Sequence, residues 1–189
     1  MKIFTDHRWT IGAGVILALL IASIGIITNS HYAGFDIDTL VRFAHILTGI
    51  TWIGLLYYFN FVQVPSLGGV TAETKADIFK EGSIVRRALW WFRWGAMFTL
   101  IFGLVLYGNL TGADGWDIRI GAAFGIIMWF NVWFIIWPNQ KKVIGITEAT
   151  ADEKAAAGKK ALMASRLNTL LSIPMLLLMV SSAHFRFFG

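Results

Sequence analysis

Five long apolar stretches constrain this chain more than anything else in it. A bilayer core is crossed by about 20 apolar residues in a helix. Stretches of that kind run from about residue 9 to 28, 40 to 64, 88 to 109, 118 to 137 and 167 to 184. Only 14% of the 189 residues are charged and 57% are hydrophobic. Soluble domains carry about 25% charged residues, so this chain has too few to coat a water-facing globule. The expected fold is an all-α integral membrane bundle of five transmembrane helices in contact with lipid, one domain over residues 1–189. That argues against a soluble enzyme, a disordered tail or a nucleic-acid-binding module. With zero cysteines there is no disulfide, Fe–S cluster, Cys-ligated zinc or covalent c-type haem.

The first stretch follows Lys2 and Arg8 and superficially resembles a secretion signal. Its apolar run is too long for one and no A-x-A-like cleavage site follows, so it reads as an anchor. Of the 16 basic residues, 12 fall in the N-terminus and in the stretches after the second and fourth spans. The positive-inside rule then puts the N-terminus in the cytoplasm and the C-terminus in the periplasm of a bacterial inner membrane. The net charge of +5 is a topology signal rather than a nucleic-acid footprint.

Two segments echo each other. Phe59-Asn60 with Pro65 ends the second span, and Phe130-Asn131 with Pro138 ends the fourth. Arg86-Arg87-Ala88-Leu89 with Arg93 matches Lys159-Lys160-Ala161-Leu162 with Arg166. A duplicated helical hairpin would produce this, with Asn60 and Asn131 facing each other near the cytoplasmic surface. Pro174 should kink the fifth span. Thr150-Ala-Asp-Glu153 has capping-box spacing, so a helix should lead from there towards the membrane.

Ionisable residues at membrane depth are costly and default to a functional hypothesis. His45 lies in the second span and His184 ends the fifth, while His7 and His31 lie outside the spans. Two imidazoles on different helices, in a chain without thiols, suit axial ligation of a b-type haem. Gly49 and Trp52 share the helical face of His45; the glycine would let a macrocycle approach and the indole would pack on its edge. Arg42 and Arg186 lie nearer the outer surface, where either can pair with haem propionates. Against this stands the plainer reading of each histidine as a polar residue satisfied within the bundle. A metal held by histidines alone has less support, since no carboxylate completes the set. Trp90, Trp91, Trp94 and Trp137 read as an aromatic belt, with Arg93 between Trp90 and Trp94. Asn60 and Asn131 read as interhelical glue, and Gly95, Gly103, Gly121 and Gly125 as close-packing positions.

The stretches AHILTGITWIGLLYYFNFVQVP (44–65), MWFNVWFIIWPNQKK (128–142) and SRLNTLLSIPMLLLMVSSAH (165–184) resemble the urate oxidase N-terminal domain. That is the membrane domain of bacterial membrane-bound urate hydroxylases, which carry a C-terminal cytochrome c. More loosely, the histidine, glycine and tryptophan of the second span resemble haem-binding membrane protoporphyrinogen oxidases and copper-resistance membrane proteins. The resemblance implies a membrane fold and a redox setting, with urate oxidised and electrons passed to the cytochrome. Here no cytochrome c domain follows His184, and no acid or base lies deep in the spans to activate water. The expectation is therefore a haem b-binding redox protein relaying electrons to a separate cytochrome c. The alternatives are a cofactor-free accessory subunit of a larger membrane complex or, with less support, a small transporter.

Overall fold

The computed structural model describes residues 2–28, 36–110 and 115–188, which are helical apart from short turns and contain no strand. His31 lies outside them. Among the described residues, five helices are long and apolar enough to cross a membrane. The chain divides into two compact units, Met1–Thr39 and Leu40–Gly189. In the first, α1 (Lys2–Thr5) leads into α2 (His7–Thr28). The Thr10 hydroxyl donates to the Ile3 carbonyl and joins the two. No residue of α2 is buried, as suits a helix whose apolar side chains are solvated by lipid.

The second unit begins within α3 (Ile37–Tyr57), which runs without a break into a six-residue π turn, Tyr58–Gln63, and then α4 (Val64–Leu67). A short helix, α5 (Ala72–Phe79), precedes α6 (Ile84–Gly108). Next comes α7 (Gly115–Phe130), a second six-residue π turn, Asn131–Ile136, and α8 (Trp137–Val143). The last helix, α9 (Ala151–His184), has 34 residues. Each π turn ends two residues before a proline, Pro65 or Pro138. Proline offers no N–H and crowds the carbonyl one turn back. A widened turn absorbs that clash, so the helix continues past the point where proline would ordinarily end it.

The expected helix at 150–153 is present. Thr150 Oγ1 accepts from the Glu153 amide, and the Glu153 carboxylate accepts from the Thr150 amide at 2.8 Å. This capping box starts α9 well before the apolar run, so loop and fifth span form one helix, continuous through Pro174.

The core gathers Trp52, Leu56, Phe59, Leu89, Phe92, Met128, Val132 and Ile136, with Ala164 and Met175 of α9. Polar clasps cross it. Asn60 donates to Ser165 Oγ at 2.8 Å and Tyr57 meets Ser172 Oγ at 2.9 Å. Asn131 donates to Asn168 at 2.8 Å, and Asn168 in turn to the Met128 carbonyl. The two asparagines of the π turns thus both reach α9, at Ser165 and Asn168. The guanidinium of Arg93 sits 3.3 Å from the ring centre of Trp137, rather than between Trp90 and Trp94. Those two rings meet each other at a tilt, while Trp90 packs edgewise on Trp91 and Trp94 on Trp133.

Candidate functional site

His45 projects from α3 onto α6. Its Nδ1–H donates to the Thr99 carbonyl at 2.9 Å. The ring lies so close to Gly103 that a Cβ there would stand 2.9 Å from its Cε1 atom. Gly49 faces Thr99 at ordinary contact distance. Trp52 is 2% exposed, and a Cβ on Gly95 would stand 3.3 Å from its backbone nitrogen. His45, Gly49 and Trp52 thus share one face, and Gly95, Thr99 and Gly103 form the small-residue seam of α6 that receives it. A Cβ on Gly121 of α7 would stand 3.3 Å from Leu178 of α9, so the glycines do act as close-packing positions.

His184 is exposed at the end of α9, where its Nδ1–H donates to the Val180 carbonyl at 3.0 Å. The two rings therefore occupy different settings, one in a helix seam and one at a helix terminus. Their levels correspond. The Tyr57–Ser172 bond ties α3 to α9, and His45 lies twelve residues before Tyr57 while His184 lies twelve after Ser172. At 1.5 Å per residue, each stands roughly 18 Å from that bond towards the same end of the unit. Since a carbonyl only accepts, both imidazoles carry their proton on Nδ1 and present an Nε2 lone pair when neutral. Such a lone pair is what a metal takes from a neutral histidine, and a backbone carbonyl is a common partner for the far nitrogen of a metal-bound one. Arg42 is exposed near the start of α3. The Arg186 stem passes over Gly115, where a Cβ would stand 3.1 Å from its Cδ atom.

Sequence reasoning missed Asp117, placed just outside the fourth span. It is fully buried in the first turn of α7. Its carboxylate accepts from the Ser181 hydroxyl at 2.7 Å and from the Phe187 and Phe188 amides at 3.0 and 2.8 Å. The chain beyond α9 is thereby folded back across the start of α7, and Arg186 with it. The cue was an acid in the first turn of a helix, where the dipole favours it.

Also missed was a cavity of about 180 Å³ at the other end of the unit. Phe59 and Gln63 of the first π turn, Val85, Leu89 and Phe92 of α6, Ile136, Gln140, and Ala161 and Ser165 of α9 border it. Near it, Arg86 donates to the Phe79 and Ile144 carbonyls at 3.0 and 2.8 Å. Among the described residues, no three histidine or acidic side chains gather as a metal cluster.

No curated protein and no solved structure matches the chain. Residues 107–188, which hold α7, the second π turn, α8 and α9 with His184, match the family described as Urate oxidase N-terminal, the family that the sequence motifs resemble.

Proposed function

We propose that this chain is a membrane redox protein similar to the membrane domain of urate hydroxylases. In this reading it takes one haem b through His45 and His184 and relays electrons to a cytochrome c on the periplasmic side. The observation that carries the reading is the shared tautomer: two imidazoles at corresponding levels, each held through Nδ1 by a backbone carbonyl. When bound, the haem supplies a one-electron couple. The chain does the rest. The Thr99 and Val180 carbonyls orient the rings and keep Nε2 free of its proton. Gly103 leaves room for the His45 ring. Arg42 and Arg186 offer positive charge to propionates at the outer surface.

Orientation follows from the basic residues, which favour a cytoplasmic N-terminus in a bacterial inner membrane. Duplication is supported by the two π turns, which stand at the same distance from their prolines, 73 residues apart.

A second reading, a cofactor-free subunit of a larger complex, is favoured by the α3–α6 seam, which packs the whole His45 face. Absorption spectra of the purified protein separate the two. The haem reading expects a Soret band that disappears in the His45→Ala, His184→Ala double variant. Absence of the band from protein made with ample haem, or its survival in that variant, overturns it.

A further inference from the structure

The cavity near the π turns uses neither histidine, and its chemistry is specific. Its volume, about 180 Å³, exceeds an engineered apolar cavity of about 150 Å³ that admits benzene, so one six-membered ring with small substituents fits. Phe59, Phe79 and Phe92 with Val85, Leu89 and Ile136 make the walls apolar, and no charged side chain lines them. An ion would lose its hydration there without compensation, so the occupant is neutral.

Three polar side chains, Gln63, Gln140 and Ser165, border the cavity. Gln63 Oε1 is buried and has no protein donor. Ser165 Oγ accepts from Asn60 Nδ2 at 2.8 Å, which turns the serine's own proton away from Asn60. One unsatisfied acceptor and one available hydroxyl donor therefore border the same apolar space. A buried carbonyl left unpaired is destabilising, and a ligand with an O–H donor removes that penalty.

We propose that this cavity binds a neutral ring of the hydroquinone class, one hydroxyl donating to Gln63 Oε1 while Ser165 donates to the ring's other oxygen. The hydroquinone head of a lipid-soluble quinol and a free water-borne hydroquinone share this chemistry.

The test is calorimetric titration of the full chain in detergent, corrected against empty micelles. The probes are 1,4-hydroquinone, its dimethyl ether, which keeps the ring and both oxygens but has no O–H, and 2-decylhydroquinone. Hydroquinone should bind at least tenfold more tightly than the ether. Gln63→Leu should erase that preference, and Ala161→Leu, which fills the cavity from α9, should weaken all three probes. Tighter binding of the decyl compound marks the membrane as the source; equal binding marks the aqueous hydroquinone. No hydroquinone binding, equal affinity for the ether, or a preference that survives Gln63→Leu overturns the proposal. Where Ala161→Leu does not fold, the nearly isosteric Gln63→Leu decides. Neither outcome depends on haem, so the site can fail while the redox reading stands, and the reverse.

Discussion

A single missing methyl sets where His45 can lie. A Cβ on Gly103 would stand 2.9 Å from the imidazole Cε1 and 3.2 Å from Nδ1, and the ring cannot retreat without losing its Thr99 bond. Gly103→Ala should therefore destabilise the protein by about 1–3 kcal/mol, the usual cost of overpacking. Gly54 is the internal control, since a Cβ there meets nothing within 4 Å. Gly54→Ala should be neutral or stabilising by about 0.4–1 kcal/mol, because alanine restricts the unfolded chain. Thermal unfolding in detergent reads both; equal effects would show that the seam is looser than described. At this scale the sequence was half legible. Helical spacing places His45, Gly49 and Trp52 on one face, but what covers that face comes from α6, about fifty residues away. Spacing within one helix carries no information on so distant a partner. Asp117 was missed because apolar counting began the fourth span at residue 118, one position too late.

At the scale of elements, helix signals were read correctly where the chemistry is local and misread where tertiary structure intervenes. The α9 capping box is a two-residue device and was legible. In the sequence Pro65 and Pro138 read as span ends, yet π turns carry both helices past them, because the surrounding core holds the widened turns. The same principle, that packing decides what a terminus does, governs the start of α7. There Asp117 gathers the Phe187 and Phe188 amides with the Ser181 hydroxyl, stitching the tail to the bundle. Alanine at 117 would leave those amides without their acceptor. Asp117→Ala should speed hydrogen exchange at Phe187 and Phe188 by about tenfold or more, since exchange follows local opening. Exchange in the Asn131–Asn168 region, on the far side of α7, should stay unchanged. Unaltered protection at 187 and 188 would mean that the tail is held by its aromatic contacts instead.

For the whole molecule, orientation decides which face each site serves. If the basic loops lie in the cytoplasm, the hydroquinone cavity opens near the inner leaflet and the two histidines stand near the outer one. That arrangement suits a protein taking reducing equivalents from one side and delivering them on the other. The absence of cysteine allows a clean test, because any introduced thiol is unique. Lys160, exposed on α9 before the apolar run, and Phe185, 72% exposed just beyond the helix, sit at opposite ends of the last span. A membrane-impermeant maleimide applied to intact spheroplasts should label Phe185→Cys at once and Lys160→Cys only after lysis. The reverse pattern would invert the chain and put both histidines on the cytoplasmic side. A periplasmic cytochrome c could then no longer be the acceptor, whatever pigment the protein carried.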